Sequence, residues 1–100
     1  MMPEHLTMDS FSAQLHTKFR VSVEPEQTVE LELVEVQPHG DVAGQEERFS
    51  AMFRGPLDHF LPQRTYRMEH AESGGAEIFI VPILKDGEGI YYEAVFNRVK

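Results

Sequence analysis

The chain contains no cysteine. This absence excludes disulfides, thiolate metal sites and a cysteine nucleophile together, and it leaves the redox compartment open. Long hydrophobic runs are also lacking, because the longest one, residues 78–84, is far too short to cross a bilayer. Residues 1–5 lack the basic segment and apolar stretch of a secretory signal. We therefore expect a cytoplasmic protein.

Basic residues are few and scattered. Nine Lys and Arg stand against seventeen Asp and Glu, which gives a formal net charge of -8. Binding to a phosphate backbone needs clustered basic side chains, and so does attraction to an anionic membrane surface. We therefore expect neither nucleic acid nor a membrane as a partner. The 100 residues, 41% of them apolar, correspond to one ordinary globular domain.

Recognised catalytic motifs are missing as well. The chain has no nucleophile elbow, Walker loop or dinucleotide-binding glycine pattern. Its five histidines are not placed at zinc-site spacings. The one local cluster, His70 with Glu69 and Glu72, is expected in a solvated turn. We expect no metal, no cofactor and no enzymatic activity; the alternative is an enzyme that uses His59 or His70 with a nearby glutamate.

What the sequence does contain is a series of alternating apolar and polar positions, which is typical of half-buried strands. Residues 1–5 are expected to form a disordered tail and residues 6–16 a short helix with Thr7 as its N-cap. The first hairpin is predicted to place Val21 opposite Leu31, and hence Arg20 opposite Glu32. The alternation changes phase after residue 33, which predicts a β-bulge near residues 33–34.

Residues 49–66 form the densest local signal, which reads as a strand, a corner closed by a proline at each end, and a second strand. Residues 57–61 are predicted to form one helical turn whose Leu57, Phe60 and Leu61 plug one end of the fold, because Pro62 forbids continuation. The polar candidates for partner contact at this corner are Arg54, His59 and Arg64. The alternative is that the arginines near the corner pair with glutamates at positions 46, 47 and 69.

The last three strands are predicted to share one core face, with these members: Tyr66, Met68, His70, Ile78, Ile80, Pro82, Leu84, Ile90, Tyr92, Ala94 and Phe96. The reverse face of the final hairpin is then unusually apolar, with these members: Phe79, Val81, Ile83, Tyr91 and Val95. A soluble antiparallel sheet normally shows polar residues there. Either the N-terminal helix covers this face through Phe11 and Leu15, or the face binds a protein.

Several motifs occur together along the chain: Phe49-Ser50 with Phe53-Arg54-Gly55-Pro56, Leu61-Pro62-Gln63 with Tyr66, Glu69-His70, Phe79 with Val81-Pro82, and Tyr92-Glu93-Ala94-Val95-Phe96-Asn97. This pattern resembles a family of small uncharacterised bacterial proteins of about this length. The resemblance covers most of the chain and implies no catalytic residues. It implies an association with phage-tail-like components.

The predicted fold is mostly β, a small antiparallel barrel or two-layer sandwich of about six strands over residues 18–97, with the short N-terminal helix. The expected function is a non-enzymatic interaction or assembly subunit that binds a protein partner or forms a homo-oligomer, through the reverse face of the last hairpin or the corner at residues 55–63. The alternative is a small-ligand-binding barrel with its pocket near Phe53, Phe60, Tyr66 and Tyr92.

Overall fold

A computed structural model describes residues 8–24, 26–39, 46–72 and 74–99 of the chain. Its elements, in order, are α1 (Met8–Ala13), β1 (Lys18–Glu24), β2 (Gln27–Pro38), β3 (Glu46–Gly55), β4 (Arg64–His70), β5 (Gly74–Asp86) and β6 (Gly89–Val99). The six strands form a closed antiparallel barrel in the order β1-β2-β3-β6-β5-β4. The predicted fold class is confirmed, and of the two predicted architectures the chain adopts the barrel. The predicted N-cap Thr7 lies outside the described residues.

The two longest strands, β2 and β5, form the corners of the barrel. The first half of β2 pairs with β1 and its second half with β3, while β5 pairs with β4 up to Ile80 and with β6 from Val81 onward. Each corner strand carries a register shift, between Leu33 and Glu35 in β2 and between Pro82 and Leu84 in β5. Bulges of this kind let a strand bend from one sheet into the next. The predicted bulge in β2 is confirmed, whereas the one in β5 was not predicted.

The register of the first hairpin differs from the prediction by two residues. Val21 lies opposite Val29 rather than Leu31, and Arg20 lies opposite Glu30 rather than Glu32. A shift of two keeps every side chain on its predicted face, so alternation alone could not distinguish the two registers. Arg20 instead forms an exposed ion pair with Glu69 on β4, at 3.6 Å.

Phe11 of α1 plugs one end of the barrel. Its ring is 2% exposed and its centroid lies 6.1 Å from that of Phe19, 5.8 Å from Phe49 and 5.1 Å from Phe96. These partners lie at the start of β1, the start of β3 and near the end of β6. The expectation that α1 covers the reverse face of the final hairpin is wrong. Phe11 is the buried residue of this six-residue helix, and the open barrel end receives it. A helix this short is stable only when it docks.

Leu61 plugs the opposite end, from the connection between β3 and β4. It is 1% exposed, and its backbone N–H donates a hydrogen bond to the Tyr92 hydroxyl at 3.0 Å. The Tyr66 hydroxyl donates in turn to the Pro62 carbonyl at 2.7 Å. The predicted helical turn is wrong, since this connection contains no helix. Of its three predicted plug residues, only Leu61 is buried.

Most of the predicted core face of the last three strands is buried, from Tyr66 on β4 to Phe96 on β6. The exceptions are Pro82, which is half-buried, and Leu84, which is 57% exposed. The bulge before it changes the parity of β5, so that Leu84 lies opposite Tyr91. Among the described residues, no helix is long and apolar enough to cross a membrane.

Candidate interaction surface

Large exposed apolar side chains lie on the last two strands and on the β3–β4 connection. Within the described ranges they are Leu57 and Phe60 in the β3–β4 connection, Phe79, Ile83 and Leu84 on β5, and Val95 on β6. Each is roughly half exposed, and with side-chain areas of roughly 200 Å² the six present roughly 600 Å² of apolar surface. This total is divided between the connection, the tip of the final hairpin and positions farther along β5 and β6, so only part of it forms one contiguous patch of the kind that is often functional.

The predicted reverse face of the final hairpin is only partly exposed. Phe79, Ile83 and Val95 are exposed, whereas Val81 and Tyr91 are half-buried. The face is also interrupted, because Glu93 lies on β6 directly opposite Val81. Its carboxylate separates Val95 from the apolar residues nearer the tip of the hairpin. Phe79, opposite Thr65 on β4, and Val95, opposite Ser50 on β3, lie away from that tip, and we call them the lateral pair.

An apolar groove of about 560 Å³ lies between the tip of the β5–β6 hairpin and the β3–β4 connection. It is lined by Leu57, Phe60, Pro82, Leu84, Lys85 and Ile90. The bulge in β5 forms this groove, because it turns Leu84 out of the core and toward the connection. The corner and the final hairpin, which the sequence presents as separate candidate surfaces, therefore meet at one groove. Sequence analysis did not identify Leu84 as exposed; the polar run after it, residues 85–88, was the available signal.

A second cavity, of about 500 Å³, lies on the other side of the same connection. Its charged lining residues are Lys18, Glu30, Glu32, Arg54, Asp58 and Glu88, and His59 also lines it. We call it the acidic cavity because four of these six charged residues are carboxylates. It shares the connection with the apolar groove: Pro56, Asp58 and His59 line the acidic cavity, and Leu57 and Phe60 line the groove.

Arg54 organises the wall of the acidic cavity. Its guanidinium hydrogen-bonds Glu32 at 3.0 Å and Glu88 at 3.2 Å. Hydrogen bonds to Tyr91 and Glu32 raise the pKa of Arg54 above its ordinary value. The strand register explains these contacts, because Glu32 and Tyr91 are the cross-strand neighbours of Arg54 on β2 and β6. Arg54 therefore pairs with Glu32 and Glu88, and the predicted partners at positions 46 and 47 have side chains outside the described part of the chain.

The tip of the final hairpin is held by Asp86. Its Oδ1 accepts hydrogen bonds from the backbone N–H groups of Glu88 at 2.8 Å and Gly89 at 3.2 Å. The bond from Glu88 is the main reason that the pKa of Asp86 lies below its ordinary value; Tyr91 and Arg54 act in the same direction. The turn of the final hairpin therefore has Gly87 and Glu88 at its centre.

The remaining predicted polar residues of the corner have separate positions. The Arg64 guanidinium lies over the Tyr66 ring, 4.7 Å from its centroid, which is the geometry of a cation–π contact. His59 is half-buried at the acidic cavity. The predicted pairing of Arg67 with Glu69 is present at 4.0 Å. Arg54 and His59 therefore line one cavity, which is not lined by Arg64.

His70 does not lie in a solvated turn; that expectation is wrong. It is 8% exposed, and its ring lies 4.7 Å from that of Phe19. Nδ1 accepts a hydrogen bond from the Glu72 N–H at 3.0 Å, so Nε2 carries the proton and donates to Thr17 Oγ1 at 2.7 Å. The Thr17 hydroxyl then donates to the Gln14 carbonyl at 2.5 Å. The imidazole ties the segment after α1 to the end of β4.

The described residues form neither a metal site nor the predicted interior ligand pocket. In the part of the chain that the structure describes, no group of three or more His, Cys, Asp and Glu side chains could hold a metal ion. The four residues of the predicted ligand pocket do not surround a common space. Phe53, Tyr66 and Tyr92 are packed in the core, whereas Phe60 is 58% exposed outside it.

The fold and the surface define the protein as a closed six-stranded antiparallel barrel, plugged at both ends, with exposed apolar side chains on β5, β6 and the β3–β4 connection. Residues 6–96 match a family described as a domain of unknown function, DUF6916, and the chain belongs to that family. No curated protein matches the sequence, and no solved structure matches the fold.

Proposed function

We propose that the protein is a non-enzymatic interaction or assembly subunit. The observation that carries this proposal is that the large exposed apolar side chains of the described chain lie on β5, β6 and the β3–β4 connection. Scattered apolar residues need no explanation, but Leu57, Phe60 and Leu84 line one apolar groove, and an exposed apolar groove favours a binding role.

The size of this surface suits a specific protein contact. A standard interface buries roughly 800 Å² on each partner, with an apolar centre and a polar rim. The apolar groove and the lateral pair Phe79 and Val95 supply the centre, and Glu93 and Lys85 supply polar groups beside it. The interface is expected to be rigid, because the surface is made of paired strands and of a connection anchored at Leu61.

The resemblance supports a finer form of the proposal, in which the protein is a bacterial, cytoplasmic subunit of a phage-tail-like system. A different protein is the expected partner, and a homo-oligomer is the second candidate. The net charge of -8 favours the first, since two copies of the chain repel each other at long range.

The absence of cysteine makes the proposal directly testable. Single cysteines at Leu57, Phe79 and Val95 would be labelled with a benzophenone maleimide and irradiated in extract of the source cells. Cysteines at Glu35 and Gln37, exposed on β2, serve as matched controls. We expect one protein adduct, identified by mass spectrometry, from the three apolar positions and none from β2. Equal adducts from both sets, or none from either, would refute the proposal.

Self-association is measured on the purified chain by light scattering after size exclusion. A concentration-dependent dimer that is abolished by Phe79→Ser and Val95→Thr would assign the lateral pair to a homo-oligomer. A monomer at all concentrations, combined with adducts to a second protein, would assign the surface to a different partner.

A further inference from the structure

We propose that the apolar groove and the acidic cavity act together and bind one segment of a partner protein, in which a large apolar side chain lies close to a lysine or arginine. This inference deepens the proposed function, on which it rests, by naming the chemistry of the partner.

The apolar half of the site is the groove between the β3–β4 connection and the final hairpin. Leu57, Phe60 and Leu84 line it and are 44%, 58% and 57% exposed. Its volume of about 560 Å³ exceeds that of any single side chain. When a Leu or Phe of the partner packs against Leu57, Phe60 and Leu84, apolar surface of both proteins is removed from water, which favours binding.

The charged half is the acidic cavity, whose charge is not balanced from within. Four carboxylates line it, on Glu30, Glu32, Asp58 and Glu88, against two cations, Lys18 and Arg54. Arg54 is already engaged by Glu32 and Glu88. A cationic side chain from a partner complements the remaining negative charge, and the overall net charge of -8 attracts such a segment from a distance.

The two halves are close enough for one segment to fill both. The ridge between them is the single stretch 56–60, whose Leu57 faces the groove while the adjacent Asp58 lines the acidic cavity. A single chain is roughly 5 Å wide, and an extended peptide advances roughly 3.3 Å per residue. An apolar and a basic side chain about two positions apart can therefore reach across the ridge.

The ridge is fixed before any partner arrives. Proline stands at positions 56 and 62, and the intervening chain is anchored by the Leu61 N–H bond to Tyr92 and by the Pro62 carbonyl bond to Tyr66. Preorganisation reduces the ordering cost of binding. Addition of a partner strand to the outer edge of β5 is less suited to this place, because Pro82 has no N–H to donate.

The test uses two capped peptides as probes, Gly-Leu-Gly-Lys-Gly and Gly-Leu-Gly-Glu-Gly, titrated into ¹⁵N-labelled full-length protein at low salt. We expect the lysine peptide to shift amide resonances of residues 28–32, 54–60 and 83–90, with at least a threefold higher affinity than the glutamate peptide. Added salt should weaken the lysine peptide roughly threefold, since exposed charges are screened. Equal affinities, or shifts located elsewhere on the barrel, would overturn the inference.

Variants assign the two halves separately. Leu84→Ser should weaken both peptides, whereas the double change Asp58→Asn and Glu88→Gln should weaken only the lysine peptide. The pair Glu72→Gln and Glu77→Gln, two exposed carboxylates near the opposite end of the barrel, is the charge-matched control and should change neither. If the control weakened binding of the lysine peptide as much as the change of Asp58 and Glu88 does, the effect would come from net charge alone. The proposed site would then be rejected.

The inference and the proposed function fail in different ways. Crosslinking from Leu57 to a partner, together with equal binding of the two peptides, would keep the interaction role and reject the basic segment. In the converse case, the lysine peptide binds selectively, and Leu84→Ser and the double change Asp58→Asn and Glu88→Gln weaken its binding as expected. That result would support the site even if crosslinking found no partner.

Discussion

Removing the Tyr92 hydroxyl tests how the plug under the candidate surface is held. Tyr92 is fully buried, and its oxygen accepts the backbone N–H of Leu61 at 3.0 Å. Tyr92→Phe keeps the ring and its packing, but leaves the buried Leu61 N–H without this acceptor. An unsatisfied buried donor costs about 1–3 kcal/mol, more than the net worth of an ordinary hydrogen bond.

The matched control is Tyr66→Phe, which removes the hydroxyl that donates to the half-buried Pro62 carbonyl. That carbonyl can turn to water, so the control should cost no more than about 1 kcal/mol of unfolding free energy. In a domain of this size each kcal/mol lowers the melting temperature by about 4–8 °C. We therefore expect Tyr92→Phe to melt at a clearly lower temperature than Tyr66→Phe.

Two measurements decide the question. Urea denaturation followed by circular dichroism gives the free energy of unfolding of each variant, and amide hydrogen exchange reports the Leu61 N–H directly. We expect faster exchange at Leu61 in Tyr92→Phe and no change there in the control. Equal stability of the two variants with unaltered Leu61 exchange would refute the idea that this hydrogen bond anchors the plug.

Three further predictions concern the other plug, the hairpin and alkaline pH. Phe11→Ala should cost about 3–5 kcal/mol by urea denaturation, because it empties the site among three aromatic rings, whereas Ser12→Ala on the exposed side of the helix should be nearly neutral. Gly89→Ala should be strongly destabilising, because a Cβ there lies 2.6 Å from the Gly55 carbonyl oxygen. Gly87→Ala is the control, because its Cβ meets nothing within 4 Å. Equal melting temperatures of the two variants would contradict this prediction. Burial raises the pKa of Tyr66 and Tyr92 above the ordinary value of about 10, so their contribution to stability is complete below about pH 10 and declines as the pH rises through the folded-state values. Urea midpoints that stay constant up to pH 11 would argue against that reasoning.

The alternation of apolar and polar residues predicted the strands and the composition of the core because each face of a strand repeats every two residues. It could not distinguish a register of Val21 with Val29 from one with Leu31, because both keep the same faces buried. The bulge in β2 was visible as two consecutive apolar residues. The bulge in β5 was hidden, because residues 78–84 are apolar on both faces and show no change of phase.

Only part of the candidate surface could be predicted from the alternation of apolar and polar residues. Phe79, Ile83 and Val95 follow from parity and are exposed as expected. The exposure of Leu57, Phe60 and Leu84 depends on which residue of the connection enters the barrel, and Leu61 takes that position through its hydrogen bond to a strand 31 residues away. The helix was assigned to the wrong surface because its short sequence specifies an apolar side chain to bury but not the site that receives it.

The plug at Phe11 also bears on how the barrel forms. Its ring packs against Phe96, near the other end of the described chain, so the site for the helix is incomplete until β6 has paired with β3. A nascent chain emerges with Phe11 exposed and must wait for the last strand before that ring can be buried. Barrels dominated by such distant pairings fold on timescales of roughly milliseconds to seconds. Docking of α1 is therefore expected among the last steps of folding, and it reports that the barrel has closed.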